Sequence, residues 1–295
     1  MSCLCALLEP LDISPQAARL TLSRMRQKGY FFTRRQGRHS FYFLTAPGLA
    51  EITTTEGRSL LRGAPPAWDG RFHMVSYEVP EALREQRQNL TTLLRQAGLG
   101  RAAAGLWASA YPLPGRLAAS LEASESAGLV TRYLAELQGD AAAFARRIWR
   151  LDEAVGRLEA FLTQYRSALA EYRAAGEKAA GEKAAAGRAG RSPAGHRGQP
   201  GRSGPAECFR RYFFLLGDFI PLMASLPPVP PGLLPANWPA AAAHELFLAC
   251  RQAVHDGAEA YVDAVYVPFD DSGESAAEAA ARANQEEIDE HEPEN

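Results

Sequence analysis

No stretch of these 295 residues is apolar over the ~20 positions needed to span a bilayer, and no leader-like segment precedes the polar chain. Both absences make the cytoplasm the expected location. Cysteine is scarce: Cys3, Cys5, Cys208 and Cys250 give no disulfide framework, and reduced thiols are expected. Also missing are His-Glu-x-x-His, a zinc-spaced Cys/His set, a Gly-x-Ser-x-Gly elbow and a Gly-x-x-x-x-Gly-Lys-Ser/Thr phosphate loop. The sequence therefore offers no catalytic residue, metal site or cofactor site, and the expectation is a protein that is not an enzyme. Net charge is nearly absent too, at -2, but that total hides a division. Residues 1–67 carry nine Lys/Arg against four Asp/Glu, whereas 270–295 carry ten Asp/Glu against one Arg. The head attracts a polyanion and the tail repels one. A length of 295 residues with 46% apolar content suits two or three domains.

The head carries the most specific pattern. Ser2 to Leu8 reads as a short helix ended by Pro10. Ser14 fits an N-cap and Pro15 the first helical position, while Gly29 closes the helix they open. Ala18, Leu22 and Met25 form its apolar stripe. The other side bears Gln16, Arg19, Ser23, Arg24, Arg26 and Lys28. Gln16 and Arg19 are placed for base edges, since glutamine pairs bidentately with adenine and arginine with guanine. The later cations suit phosphate. Tyr30 to Thr33 and Ser40 to Leu44 read as aromatic strands joined by a tip of Arg34, Arg35, Gln36, Gly37, Arg38 and His39. Helix, turn, helix and basic hairpin predict a winged helix-turn-helix over 1–64. A three-helix core calls for one more helix ahead of residues 2–8, so the domain is expected to lack its first helix.

A strand at 72–79, a helix at 81–96, and further elements near 105–110, 113–123 and 129–137 predict a ferredoxin-like α/β sandwich over 68–140. The C-terminal domain, 141–267, reads as mainly helical. Its stripe of Phe144, Ile148, Leu151, Val155, Leu158, Leu162 and Tyr165 marks a long amphipathic stretch from Ala141 to Tyr172. Near-repeats EKAAG and EKAAA at 177–186 open a Gly-, Arg- and Ser-rich stretch that predicts an unstructured insert over 176–205. Beyond it come an aromatic segment from Cys208, a proline-rich run over 227–239 pinned by Leu233, Leu234 and Trp238, and a helix from Ala240 to Ala264. The acidic tail 270–295 is expected to be disordered.

Four segments taken in order resemble the PaaX family of phenylacetate-degradation repressors. They are SPQAARLTLSRMRQKGYFFTRRQGRHSFYFLTAPG at 14–48, WDGRFHMVSYEVPEALREQRQNLTTLLRQAGLG at 68–100, AAFARRIWRLDEAVGRLEAFLTQY at 142–165 and FRRYFFLLGDFIPLMASLPPVPPGLLPANWPAAAAHELF at 209–247. The resemblance implies a multidomain α+β repressor: a winged helix, a central ferredoxin-like domain similar to Cas2, and a helical rear. It also implies a homodimer on double-stranded promoter DNA, released by an aryl-CoA or acyl-CoA effector. Such an effector needs apolar walls and cations for its phosphates. Trp149, Tyr212, Phe213 and Trp238 are candidate walls, and Arg146, Arg147, Arg210 and Arg211 candidate cations. Two other functions stand beside this one. A protein-interaction relic without DNA binding follows from the missing first helix. A Cas2-like metal-dependent nuclease would rest on Asp69 and Glu78, which a turn and a strand end explain without metal.

Overall fold

The computed structural model describes residues 2–36, 39–50, 67–126, 128–188, 204–266 and 269, with side chains for all of these except Ser2, His39, 123–126 and 175–188. By contact the chain divides into two units. One gathers Met1–Leu61, Tyr165–Ile220 and Phe247–Asn295; the other gathers Arg62–Gln164 and Pro221–Leu246. This grouping does not follow the sequential division at 64, 140 and 267, because segments distant in sequence share a core.

In the first unit, α1 (Ser2–Leu8) passes through a 3-10 turn, Glu9–Leu11, into the left-handed Asp12 (φ 58°). α2 (Pro15–Gln27) starts on the expected cap: the Ser14 hydroxyl accepts from the Ala17 N–H at 3.2 Å. Ala18 is buried, and Leu22 and Met25 are half-buried, so the apolar stripe faces inward as its spacing predicts. Gly29 (φ 71°) turns the chain into β1 (Phe31–Gln36), which pairs antiparallel with β2 (His39–Leu44) from Phe31 opposite Leu44 to Gln36 opposite His39. The chain is helical again at 46–50, where Gly48 lies so close to Tyr30 that an added Cβ would be driven into the Tyr30 carbonyl. Gly48→Ala must therefore displace backbone at the root of the hairpin. The expected cost is about 1–3 kcal/mol, read as a lower denaturation midpoint; an unchanged midpoint would contradict this close approach.

The same unit contains the rear helices. α6 (Leu151–Arg188) belongs to it from Tyr165 onward, with α7 (Pro205–Ala224) as far as Ile220 and the part of α8 (Ala240–Val265) beyond Leu246. The Tyr165 hydroxyl donates to Asp218 at 2.7 Å, the buried Cys250 thiol faces the Tyr165 carbonyl at 3.6 Å, and Phe219 stacks on Phe247 at 3.9 Å. The long stripe thus meets its partner beyond the 176–205 stretch, as its pattern requires. Tyr261 of α8 donates to the Ala6 carbonyl at 2.8 Å, so α1 is held from the far end of the chain.

Burial pushes the Cys250 thiol from 9.0 up to about 11 and raises the Cys208 thiol and the Tyr165 and Tyr172 hydroxyls. At Tyr165 the Asp218 hydrogen bond adds to burial. All four shifts favour the protonated folded state. Their contribution is present below the unfolded values, 9.0 for the thiols and 10.0 for the phenols, and is lost as pH rises through the folded ones. The melting temperature is expected to fall steadily above about pH 9, with Cys250→Ala softening the fall; a flat profile to about pH 11 would contradict it.

In the second unit the elements follow one another as β3 (Arg71–Tyr77), α3 (Arg84–Gln96), β4 (Gly100–Ala103), β5 (Leu106–Ser109), α4 (Gly115–Ser126) and β6 (Val130–Glu136). The sheet order is β4-β5-β3-β6 with every neighbouring pair antiparallel. Strand alternation splits β3 between two cores. Val75 joins Trp107, Val130, Leu90, Leu94, Leu117 and Leu121 under α3 and α4. Phe72 and Met74 join Ala108 and Ala110 on the opposite face, beneath Ala145 and Ile148 of α5 (Ala141–Ile148) and beneath Val229 and Leu233 of the proline-rich run. The turn Pro231–Leu233 of that run packs on α5, as expected of a loop pinned onto helices, and Leu233, Leu234 and Trp238 join the core that α5 shares with the sheet.

The amphipathic stretch 141–172 divides into two helices at Trp149 and Arg150, where Arg150 is left-handed (φ 49°). Trp149 leaves the helical path and its indole donates to the Gly98 carbonyl at 2.9 Å, while Asp152 and Glu153 supply the favourable acidic first turn of α6. The segment expected to be unstructured from 176 has a helical backbone to Arg188. Alanine, glutamate and lysine are strong helix formers and extend a helix already begun. Residues 189–203, and the tail 270–295, lie outside the described residues.

Candidate nucleic-acid interface

α2 is about 20 Å long at 1.5 Å per residue, and its outer side is polar. Gln16, Arg19, Ser23, Arg24, Arg26 and Lys28 are all exposed. Arg19, Ser23 and Arg26 recur at spacings of four and three, so they share one stripe. Among them stands Leu20, 53% exposed, an apolar residue that sequence reasoning did not assign to the site. Its position two residues from Ala18, about 200° around the helix from the buried side, is the signal that was available.

The hairpin divides its cations between two faces. Phe32, Arg34, Phe41 and Phe43 lie on one face: Phe32 stacks on Phe43 at 5.3 Å, and the Arg34 guanidinium sits 5.9 Å above the Phe43 ring. Phe31, Thr33, Arg35 and Tyr42 lie on the other, with Phe31 buried against Tyr42. Arg35 is exposed. Gly37 and Arg38 lie outside the described residues; His39 is placed in β2 opposite Gln36, with its side chain undescribed. The aromatics Phe31, Phe32, Tyr42 and Phe43 therefore pack within the hairpin.

The eight candidate effector residues fall four to each unit. In the second unit, Trp149 and Trp238 pack against the Phe72 core, Arg146 pairs with Asp152 at 2.8 Å, and Arg147 reaches the Ala102 carbonyl at 3.3 Å and covers the Phe144 ring. In the first, Arg211 pairs with Glu207 at 2.9 Å over the Tyr172 ring. Arg210 lies 3.9 Å from Glu207 and over Phe214, Tyr212 packs on His255, and Phe213 is exposed. An open groove of about 420 Å³ in the second unit, between β3, β6 and Leu113, contains none of the eight. Asp69 accepts the Arg71 N–H at 2.9 Å, the turn role that competes with metal binding, and Glu78 is exposed just beyond β3. Among the described residues no three His, Cys, Asp or Glu side chains converge as a metal-ligand set.

Three family models match this chain in order: "PaaX-like protein" over 1–48, "PaaX protein central Cas2-like domain" over 65–144 and "PaaX-like protein C-terminal domain" over 193–264. The chain is 26% identical over 267 residues to the transcriptional repressor PaaX of Escherichia coli (strain K12), covering 88% of this chain and 75% of that one. Its fold is similar to that of the uncharacterized protein Rv0674 from Mycobacterium tuberculosis, with a TM-score of 0.56 at 20% identity over 90% of this chain and 91% of the other. No helix among the described residues is long and apolar enough to cross a membrane.

Proposed function

This chain belongs to the PaaX-like family, and from that premise we propose that it is a sequence-specific transcriptional repressor acting as a homodimer on double-stranded promoter DNA. The observation that carries the reading is the Ser14-capped helix α2 with its exposed stripe of Gln16, Arg19, Ser23 and Arg26, followed at once by a hairpin bearing Arg34 and Arg35. Taken as a winged helix-turn-helix, α2 enters the major groove and its N-terminal residues Gln16 and Arg19 read base edges. Leu20 meets a thymine methyl, and Arg24, Arg26, Lys28 and the wing arginines Arg34, Arg35 and Arg38, with His39, meet phosphate. The β-α-β-β-α-β order of the second unit with sheet order β4-β5-β3-β6 fits a ferredoxin-like, Cas2-like central domain.

The regulated genes under this reading belong to an aromatic-acid, phenylacetate-type catabolic operon, and the signal is an aryl-CoA thioester. Relief of repression requires the thioester to bind the DNA-incompetent state more tightly than the competent one. The decisive experiment titrates phenylacetyl-CoA, free CoA and phenylacetate into a preformed complex with the protein's own promoter, beside a scrambled duplex. The expected result is retention of the promoter alone and its release by the thioester alone. Equal weak retention of both duplexes would reduce the protein to electrostatic binding and sink the repressor reading. Release by the free acid, without thioester binding, would overturn the effector class.

A further inference from the structure

Phe269, the residue immediately before the most acidic stretch of the sequence, contacts the hairpin. Its ring lies edge-on against Phe41 and Phe43, with centroids 5.0 and 5.3 Å away. Phe41 is opposite Arg34 in the ladder and Phe43 is beneath the Arg34 guanidinium, so Phe269 sits on the hairpin face that carries Arg34. The next two residues are Asp270 and Asp271, and 270–295 holds ten Asp/Glu against a single Arg. Consecutive Cα atoms are about 3.8 Å apart, so both aspartates are covalently confined to within about 8 Å of Phe269. That is about one Debye length at physiological salt.

We propose that the acidic segment 270–295 competes in cis with the DNA backbone for the Arg34-bearing face of the hairpin. The proposal rests on the wing being a DNA contact, as argued above. Three conditions for such a competitor are met. It is held at the site by an apolar contact that does not depend on charge. It carries the sign of charge that Arg34, on the face Phe269 contacts, attracts. It is tethered, so its effective concentration is of millimolar order, comparable with or above what loosely bound duplex needs. DNA must displace the segment in order to bind. Fewer counterions are then released overall than a bare wing would release, and the salt dependence of DNA binding is correspondingly shallow.

The test keeps the full chain and changes only its charge or its anchor. In one variant the ten carboxylates from Asp270 to Glu294 become amides (Asp→Asn, Glu→Gln); the other is Phe269→Ser with the tail charge intact. Affinity for a labelled duplex is measured by anisotropy across a salt series. The amide variant is expected to bind about tenfold tighter at low salt, with a steeper salt slope, and to converge with the parent at high salt. Phe269→Ser is expected to fall between them, and parental affinity in that variant would overturn the anchoring. A second readout needs no DNA: amide and side-chain NMR signals of residues 31–43 are compared between parent and amide variant at low salt. Shifts centred on Arg34 and its face of the hairpin are expected, and superimposable spectra would overturn the proposal. If the wing signals shift while no variant binds any duplex, the cis contact stands and the DNA-binding reading falls.

Discussion

Arg19→Ala is expected to lower affinity for the specific promoter about 10- to 100-fold while leaving a scrambled duplex almost untouched, the mark of one lost bidentate guanine contact worth about 1–3 kcal/mol. The argument begins with local structure. Ser14 caps α2 and Pro15 fixes its first turn, so the entry of this helix is rigid and Arg19 stands one turn in, fully on the exposed side. In helix-turn-helix proteins that end of the helix contacts base edges. Arg35→Ala should behave differently. It is exposed on the hairpin, and losing one phosphate contact should weaken all duplexes alike and reduce the salt slope by about one. Binding isotherms for both variants on both duplexes, over a range of salt, separate the two effects. Uniform weakening by Arg19→Ala would place Arg19 on phosphate and leave base reading to other residues.

The head was legible because its signals are local. Ser14, Pro15 and Gly29 punctuate one helix, and the 3–4 spacing of Ala18, Leu22 and Met25 fixes its buried side, all within sixteen residues. The strands of the second unit were legible for the same reason, with one omission. β4 was missed because Gly100–Ala103 is short and carries no β-branched or aromatic residue; it is a strand through its pairing with Leu106–Ala108. What stayed unread lay where tertiary contact decides. Nothing in the periodicity of 141–172 announces the break at Arg150, because the stripe continues in phase through Ile148, Leu151 and Leu158, all buried. The break exists because Trp149 finds a carbonyl 51 residues away.

The candidate interface and the candidate effector site differ in the same way. Sequence places Gln16, Arg19, Ser23 and Arg26 on one exposed stripe, since a helix converts spacing directly into direction. No comparable rule links Arg146 to Arg211, and their carboxylate partners, Asp152 and Glu207, were not foreseen although each lies only a few residues away. Phe269 was overlooked as well. A lone aromatic ahead of an acidic run has no local pattern, and its contacts with Phe41 and Phe43 span more than 220 residues.

Phe72→Ala is expected to be the most destabilising single change, costing about 3–5 kcal/mol. Phe72 is 1% exposed near the start of β3, with ring centroids 5.2 Å from both Trp68 and Phe144 and 6.4 Å from Trp149. It joins three pieces of chain: the sheet, α5 and the buried turn around Leu233. Alanine would leave a void that none of these can fill, because β3 is held on both sides, by β5 and by β6, and cannot move toward α5 without breaking a ladder. The loss is a large part of a domain's total stability of about 5–15 kcal/mol. Tyr133→Ala is the matched control. It removes an aromatic ring from β6, opposite Met74 in the ladder, but that ring is 44% exposed and should contribute far less. Urea denaturation followed by tryptophan fluorescence suits the comparison, because Trp68, Trp149 and Trp238 all pack against this core. A Phe72→Ala midpoint no lower than that of Tyr133→Ala would mean that the sheet, α5 and the proline-rich run do not share one core around this ring.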